Sequence, residues 1–438
     1  MPTALVVFTR DLRVNDNPAL HAAAESADRV VPLFVLDDAI RSSAFNRPNR
    51  AAFLAESLAD LDESLRALGG RLVVRRGSVA AEVAKLADET GATEVYIAAD
   101  YSGYARQRER RLRDALGNRV LHLHHSHVVV PPGSVVPSGA GGKDHFAVFS
   151  AYHRRWRQAD VRRVLRVPDR VLLPRGLDAG RLPSAAEICP GATSPHLPPG
   201  GEEAARKRAD DWYGGSVAAY DDGGHDDLAN DNGTSRLSPY LHFGCISAIE
   251  LVARGDRRGR GVDAFVRQLA WRDFFTQVLA ARPETSHTDY RTRNDRWRND
   301  DEAVEAWRDG RTGYPLVDAG MRQLRREGWM HNRARLVTAS FLTKHLYVDW
   351  RIGARHFTDH LVDGDVANNS LNWQWVAGTG TDTRPNRVLN PTRQQQRYDP
   401  DGVYVKRYVE EFGTPDYPAP IVDHHDAVGA FRAARTAP

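Results

Sequence analysis

ALVVF at residues 4–8 and VVPLFVL at residues 30–36 are short, continuous apolar runs, a pattern typical of strands buried on both faces of a parallel sheet. RLVVRRG at 71–77 and EVYIAAD at 94–100 have the same character, and a stretch with helical periodicity lies at 50–68. Strands that alternate with helices predict βαβ units. We therefore expect the beginning of the chain to form an α/β domain with a parallel, Rossmann-like sheet.

The texture of the chain changes after this region. Residues 131–200 are rich in Pro, Gly and Ser, a composition that predicts a long connector. This region contains one helical stretch, VFSAYHRRWRQADVRRVL at 148–165. Further on, apolar residues repeat at helical spacing, as in 263–283. We expect three parts: an α/β domain at 1–130, a linker at 131–200 and a larger all-α domain at 201–438.

The composition argues against several classes of protein. A net charge of +3 over 438 residues does not by itself indicate a nucleic-acid-binding protein. The preference for Arg over Lys fits either a local phosphate-binding face or a coding bias. Two cysteines give neither a disulfide framework nor a zinc signature, and no apolar run approaches the length of a membrane span. The N-terminus lacks a secretory pattern, so we expect a cytoplasmic protein. No GxGxxG or P-loop motif follows the first strand, which argues against the usual dinucleotide and P-loop enzymes.

Histidines cluster in LHLHHSHVVV at 121–130. His122, His124 and His127 invite interpretation as metal ligands, together with His125. However, no Cys, Asp or Glu joins them within the run, and their alternation has strand spacing. The edge of a strand is the favoured interpretation, and no metal site is predicted.

NGTSRLSPYLHFG at 232–244 predicts a loop that runs into a helix. Ser238 followed by Pro239 has the pattern of an N-cap with Pro at the first helical position. Backbone N–H groups, hydroxyls and the Arg236 guanidinium would then converge at the positive end of the helix dipole, which favours a phosphate or pyrophosphate. An ordinary capped helix with a surface arginine is the alternative.

Three further stretches mix polar and aromatic side chains. In FVRQLAWRDFF, five residues fall at helical spacing on one face: Phe265, Gln268, Trp271, Arg272 and Phe275. A second such face is predicted after residue 328: Trp329, Asn332, Arg333 and Leu336. Each could be a ligand wall or a buried amphipathic edge. DGDVANNSLNWQW at 363–375 fails the pattern of a calcium loop, and Trp373 and Trp375 point to opposite sides of a helix, so one of them can face a ligand.

Taken in order, these stretches resemble the DNA photolyase/cryptochrome family, most closely its bacterial class I cyclobutane pyrimidine dimer photolyases. The resemblance is carried by FTRDLRVNDNPAL, GTSRLSPYLHFG, WRDFF, GYPLVDAGMRQLRREGWMHNR and DGDVANNSLNWQWVAGTGTD. It implies an N-terminal α/β domain, a long linker and a helical domain that holds FAD.

The resemblance also implies the residues of the flavin site. They are Tyr220, Thr234, Ser235, Arg236, Leu237, Ser238, Phe265, Arg272, Asn332, Arg335, Asp363, Gly364, Asp365 and Asn369. Asn369 matches the residue that faces flavin N5, where an amide oxygen can accept a hydrogen bond. Trp373, Trp350 and Trp297 match a chain of indoles that carries electrons between the flavin and the surface.

By the same resemblance, the protein repairs pyrimidine dimers in DNA by light-driven electron transfer from reduced FAD to a lesion flipped out of the duplex. The implied lesion and DNA contacts are Gln268, Trp271, Phe275, Asn332, Arg333, Leu336, Trp375, Arg387 and Gln394. Trp271 and Trp375 would sandwich the dimer. Gln268 has a catalytic role in this scheme but stands where many relatives have Glu, and Leu336 where many have Met.

The expected partner is damaged DNA, with no membrane and no obligate protein partner, so a monomer is expected. DYSGYARQRERR at 100–111 is similar to the segment that binds a deazaflavin (8-HDF) antenna in part of the family, although a charged surface helix is the alternative. A cryptochrome-like photoreceptor with little repair activity is the alternative function. Gln268 favours it, whereas Trp271 and Arg333 favour repair.

Overall fold

The computed structural model describes residues 2–138, 144–255 and 259–436. Within these ranges, five strands form one parallel sheet in the order β3-β2-β1-β4-β5. The strands are β1 (Thr3–Phe8), β2 (Arg29–Asp37), β3 (Val73–Gly77), β4 (Glu94–Ala99) and β5 (Val120–His125). All six residues of the central strand β1 are buried, as its continuous apolar run predicts. The predicted α/β class is confirmed for this part of the chain.

Helices cover both faces of the sheet. They are α1 (Pro18–Ser26), α2 (Asp38–Arg41), α3 (Pro48–Ala67), α4 (Val79–Thr90) and α5 (Gly103–Leu116). Because side chains alternate along a strand, Val6 and Phe8 join the core beneath α1 and α3, while Leu5 and Val7 join the core beneath α4 and α5. The sheet is therefore buried on both sides.

The connector contains two short helices, α6 (Phe149–Trp156) and α7 (Ala185–Ile188). The prediction of one helix over 148–165 was wrong, because α6 ends at Trp156. Beyond it the chain follows the α/β domain: the Leu165 N–H donates to Asp16 (2.8 Å) and the Val171 N–H donates to the Leu68 carbonyl (2.8 Å). These hydrogen bonds to distant residues replace those of a continued helix.

The rest of the chain is helical, as predicted. Its helices are α8 (Glu202–Gly214), α9 (Ser238–Phe243), α10 (Ala248–Arg254), α11 (Arg260–Ala281), α12 (Asp301–Asp309), α13 (Pro315–Glu327), α14 (Asn332–Ser340), α15 (Trp350–His360), α16 (Val366–Ala377), α17 (Pro391–Tyr398), α18 (Val403–Tyr408) and α19 (His424–Thr436). Shorter turns are 3-10 helical at Ser216–Ala219 and Pro283–Ser286, and π-helical at Tyr220–Gly224 and Phe341–His345. A core built around Trp307, Trp350 and Trp373 holds α12 to α16 together.

The histidine-rich stretch forms β5, which lies at the edge of the sheet. His122 and His124 stack on Tyr96, with ring centroids 4.5 and 5.7 Å apart. In the part of the chain that the structure describes, no group of three or more His, Cys, Asp or Glu side chains is arranged to hold a metal. No helix among the described residues has the length and apolar character needed to span a bilayer.

Asp273 on α11 ties the end of the α/β domain and the connector to the helical half. Its Oδ2 accepts hydrogen bonds from the backbone N–H groups of Val129 (2.9 Å) and Val130 (3.0 Å) and from the Trp156 indole (2.9 Å). The carboxyl is 1% exposed, and burial raises its pKa to about 6. One acceptor therefore satisfies three donors from two separate segments.

We predict that Asp273→Ala lowers the free energy of unfolding by about 3 kcal/mol or more, because each buried donor left unsatisfied costs about 1–3 kcal/mol. Chemical denaturation followed by circular dichroism measures the change. Asp263→Ala is the control, since Asp263 is exposed near the start of the same helix. We expect that variant to shift stability by less than about 0.5 kcal/mol. Equal small shifts in the two variants would contradict the prediction.

Candidate functional site

A deep cavity lies in the helical half, between α11, α14 and α16 and beneath the loop that precedes α9. It brings together most residues that the sequence assigned to a cofactor or lesion: Tyr220, Thr234, Ser235, Arg236, Leu237, Ser238, Phe265, Gln268, Arg272, Asn332, Arg335, Leu336, Asp363, Asp365, Asn369 and Trp373. These residues are spread over 154 positions of the chain, from Tyr220 to Trp373. Tertiary packing makes them one site.

The loop before α9 forms one end of the cavity. The predicted N-cap was wrong, because Leu237 occupies the cap position without a side-chain hydrogen bond, and Ser238 is the first residue of the helix. The Ser238 hydroxyl instead accepts a hydrogen bond from the Trp329 indole (3.2 Å). Arg236 has a left-handed backbone (φ 51°), and its guanidinium lies 4.4 Å from the Trp329 ring. The hydroxyls and the guanidinium thus line one end of the cavity, as a phosphate seat requires.

This loop is held by a residue that sequence reasoning missed. Arg208 on α8 donates to the carbonyl of Ser235 (2.8 Å) and to that of Thr234 (3.1 Å). Both carbonyls therefore point toward α8. No local pattern in the sequence marks Arg208, because its partners lie 26 and 27 residues away.

Paired charges form another part of the cavity lining. Arg335 contacts both carboxylate oxygens of Asp363, at 2.9 and 3.1 Å, and also donates to the Met330 carbonyl. Asp365 pairs with Arg10 from the loop after β1, at 2.6 Å. Burial alone would raise the pKa of the Asp365 carboxyl, but the nearby Arg10 guanidinium holds that pKa well below its usual range. Both aspartates therefore line the cavity with fixed arginine partners.

Asn369 is oriented by α15. Its amide nitrogen donates to the Ala354 carbonyl and to the Thr358 hydroxyl, each at 2.9 Å. Because both amide protons are used, the oxygen is the group left for a ligand in the cavity. The same helix turn carries Asn372, a cavity residue that the sequence did not single out.

The two predicted helix faces are only partly correct. On α11, Phe265, Gln268 and Arg272 line the cavity, whereas Trp271 stacks on Phe149 with centroids 3.6 Å apart and ring planes at 7°. Phe275 is 3% exposed and packs against Trp271, which leaves it no surface for a direct contact with DNA. Residues 265, 268 and 272 form one stripe at 3.6 residues per turn, and residues 271 and 275 lie to its side.

The second face shows the same division. Asn332, Arg335 and Leu336 point into the cavity from α14, while Arg333 points away and pairs with Asp226. His331 caps this helix through Nδ1, which accepts from the Arg333 N–H (3.1 Å). Burial lowers the pKa of His331 to about 3, so the ring stays neutral and can accept.

The remaining predicted residues lie outside the cavity. Trp375 is half-buried beside it, with the exposed Arg387 guanidinium 5.0 Å from its ring. Gln394 is half-buried on α17, and Gly364 packs against Arg50 between the two cavity aspartates.

The three predicted electron-transfer tryptophans differ in exposure. Trp373 lines the cavity at 2% exposure, Trp350 is 1% exposed, and Trp297 is partly exposed. Trp350 donates to Asp289 (2.8 Å), and Trp297 packs on Tyr347, with centroids 5.1 Å apart. Trp373 and Trp350 are thus buried, and Trp297 is the one of the three that reaches solvent, as the outer end of an electron route must.

Comparison with known proteins agrees with this geometry. Residues 4–169 match a family model described as DNA photolyase, and residues 265–415 match the FAD binding domain of DNA photolyase. A deoxyribodipyrimidine photo-lyase from Streptomyces griseus is 56% identical, with 99% of each chain covered. The chain belongs to the DNA photolyase/cryptochrome family.

Solved structures of family members have the same fold. A class III photolyase from Agrobacterium tumefaciens is 31% identical with a TM-score of 0.89, over 99% of this chain and 97% of that one. An archaeal photolyase from Sulfolobus tokodaii with two FAD molecules is 30% identical with a TM-score of 0.86, over 99% of both chains. Because similar structures include a class III member, the assignment to class I stays a prediction.

The cavity residues fit FAD, the cofactor of this family's helical domain. Hydroxyls and the Arg236 guanidinium at one end suit a pyrophosphate, and the amide oxygen of Asn369 at the other suits a ring N–H. Phe265 and Trp373 supply aromatic walls between them.

We predict that Gly353→Ala reduces the bound FAD. A methyl group at Gly353 on α15 would lie 2.2 Å from the Trp373 ring and 2.7 Å from Leu342, so the indole must move into the cavity. The ratio of flavin to protein absorbance in the purified protein measures occupancy. Gly429→Ala on α19, where a methyl group meets nothing within 4 Å, is the control and should keep full occupancy. Wild-type occupancy in Gly353→Ala would contradict the prediction.

Proposed function

We propose that the protein is a deoxyribodipyrimidine photo-lyase, which uses light to split cyclobutane pyrimidine dimers in DNA. The observation that carries this proposal is a flavin-type cavity, complete with its fixed carboxylates and amide, in a chain 56% identical to a protein of that name. When bound, reduced FAD would absorb light and supply the electron that the lesion receives. The chain's own residues bind the cofactor, exclude water and position the lesion.

The roles at the cofactor follow from the contacts. Thr234, Ser235, Leu237 and Ser238 would bind the phosphates with Arg236, since they form the loop that Arg208 holds in place and the start of α9. The remaining predicted cofactor residues would contact the ring system and its surroundings: Tyr220, Phe265, Arg272, Asn332, Arg335, Asp363, Gly364 and Asp365. The Asn369 oxygen would accept a hydrogen bond from flavin N5, because its nitrogen is already committed to α15.

The lesion would enter over Gln268 and Leu336. Gln268 is the exposed member of the α11 stripe in the cavity, and it can donate to a pyrimidine carbonyl without adding a charge. Asn332 and Leu336 line the same cavity from α14. Trp375 and the Arg387 guanidinium beside it supply a stacking surface and a phosphate contact at one side.

We predict that the reduced protein removes dimers from a dimer-containing oligonucleotide under blue light and leaves them intact in the dark. The measurement is the recovery of undamaged strands by chromatography over a time course of illumination. An undamaged oligonucleotide is the control for photochemistry unrelated to repair. Dimers that persist under light in the FAD-loaded, reduced protein would overturn the proposed function.

The electron route would serve photoreduction rather than repair. We predict that Trp297→Phe slows photoreduction of the oxidised flavin at least about tenfold, because the outermost indole can no longer be oxidised near solvent. Repair by the chemically pre-reduced variant should stay close to the wild-type rate, since that step needs no electron from the surface. The flavin absorbance under illumination measures the first, and strand recovery the second. Unchanged photoreduction would exclude Trp297 from the route.

A photoreceptor with little repair activity is the second candidate, and Gln268 is the feature that favours it. Gln lacks the negative charge and the titratable proton of the Glu that the family resemblance leads us to expect at this position. The repair assay separates the two candidates directly. The cytoplasmic location, the monomeric state and the domain boundaries near residues 130 and 200 stay predictions.

We also propose an antenna chromophore in the α/β domain. A second cavity of about 710 Å³ opens at the carboxyl ends of β1 and β2, where α/β sheets usually bind ligands. The segment similar to a deazaflavin site contributes Asp100, Ser102, Tyr104 and Arg108 to its wall. Either a deazaflavin or a second flavin suits this cavity, and the relative with two FAD molecules supports the presence of a second chromophore.

A further inference from the structure

The segment between Tyr220 and the phosphate-binding loop is acidic. It is DDGGHDDLAND at 221–231, hereafter the acidic segment, and it carries five Asp and no Lys or Arg. Three of these aspartates pair with arginines: Asp221 with Arg260, Asp226 with Arg333, and Asp231 with Arg407. The segment thus lies against basic side chains of the helical half.

The pair between Asp226 and Arg333 is the one that involves a predicted DNA contact. Arg333 Nε and Nη2 contact the two carboxylate oxygens at 3.1 and 2.5 Å. The side chains of both residues are more than four-fifths buried, so solvent screens this pair less than an exposed one. Arg333 itself does not line the cavity, but its neighbour Asn332 and the neighbour of Asp226, His225, both do, so the pair lies beside the cavity rim.

A bidentate carboxylate uses the same fork of N–H groups that a phosphate would use. Arg333 therefore cannot hold Asp226 and a DNA phosphate through the same edge at once. Its plane is also fixed by Tyr398, whose ring centroid lies 4.3 Å from the guanidinium. The arginine is thus held in place while its binding edge is occupied.

The position of Asp226 is set by contacts on both sides of it. The Leu228 side chain is 3% exposed in the core, and its N–H donates to the Tyr398 carbonyl (3.1 Å). His225 Nδ1 lies 2.7 Å from the Tyr220 carbonyl, and His225 itself lines the cavity. The carboxylate is therefore held against Arg333 by a folded segment.

We propose that Asp226 is an intramolecular competitor of the DNA backbone for Arg333, and that it lowers the affinity of the protein for DNA. This inference rests on the proposed function, because it requires DNA to approach this rim. Binding exchanges one anion for another on the same guanidinium. The displaced carboxylate then regains a counterion, which offsets the counterion released from the DNA.

The test compares Asp226→Asn with Asp227→Asn in the FAD-loaded protein. Asp227 is exposed, and within the described residues its carboxylate accepts only the Ala229 N–H (3.0 Å). Both variants therefore remove one charge from adjacent positions. Fluorescence anisotropy with a dimer-containing duplex and an undamaged duplex gives the dissociation constants over a salt series. Flavin absorbance verifies that both variants keep their cofactor.

We expect Asp226→Asn to tighten binding roughly fivefold and to steepen the dependence of log affinity on log salt by about 0.9, the value of one added phosphate contact. Asp227→Asn should change the affinity less than about twofold, since it frees no guanidinium. In the Asp226→Asn/Arg333→Gln double variant the gain should disappear, because the group released by the first change is absent.

Two results would overturn the inference. Equal tightening in Asp226→Asn and Asp227→Asn would show a general effect of charge, and weaker binding in Asp226→Asn would show that Asp226 prepares Arg333 for DNA. The proposed function fails on a different measurement, namely dimers that persist under light in the wild-type protein. If the wild-type protein repairs dimers but Asp226→Asn gains no more affinity for DNA than Asp227→Asn, the inference is refuted and the proposed function stands.

Discussion

The ion pair between Arg10 and Asp365 joins the two halves of the molecule at the wall of the flavin cavity. Arg10 lies in the loop after the central strand β1, and Asp365 is the N-cap of α16, whose Oδ1 accepts from the Asn368 N–H (2.9 Å). Arg10 also donates to the His242 carbonyl (3.0 Å) at the end of α9. Because one guanidinium contacts both elements, the α/β domain helps to fix the helix that carries Asn369 and Trp373.

The same junction leaves no space for larger groups. Gly244 follows α9 with a left-handed backbone (φ 69°), and a methyl group there would lie 1.9 Å from the Arg10 carbonyl oxygen. Arg13, 1% exposed, donates to the Gly244 carbonyl (2.9 Å). Buried arginines are tolerated here because backbone carbonyls and carboxylates satisfy their donors. The cavity is thus shaped by a rigid interface before any ligand binds, which reduces the entropy lost on binding.

Arginine performs three distinct tasks around the cavity. Arg208 and Arg10 fix backbone segments, and Arg335 orients a carboxylate. Arg236 and Arg387 each place a guanidinium against an aromatic ring. The near-neutral net charge of the chain is consistent with this arrangement, since most of these guanidinium groups have carboxylate partners. Affinity for a polyanion therefore depends on which arginines keep a free edge, rather than on the overall charge.

The sequence by itself determined the fold class and most of the candidate site. Continuous apolar strands require burial on both faces, which specifies a parallel sheet covered by helices. The order of the polar motifs identified more than half of the residues that line the cavity. Only the tertiary structure decided the rest. In the folded chain α6 ends at Trp156, and Trp271 packs on Phe149 outside the cavity. Arg333 also lies outside the cavity, where it pairs with Asp226. These outcomes depend on contacts between residues more than 100 positions apart, whose energies local spacing does not encode.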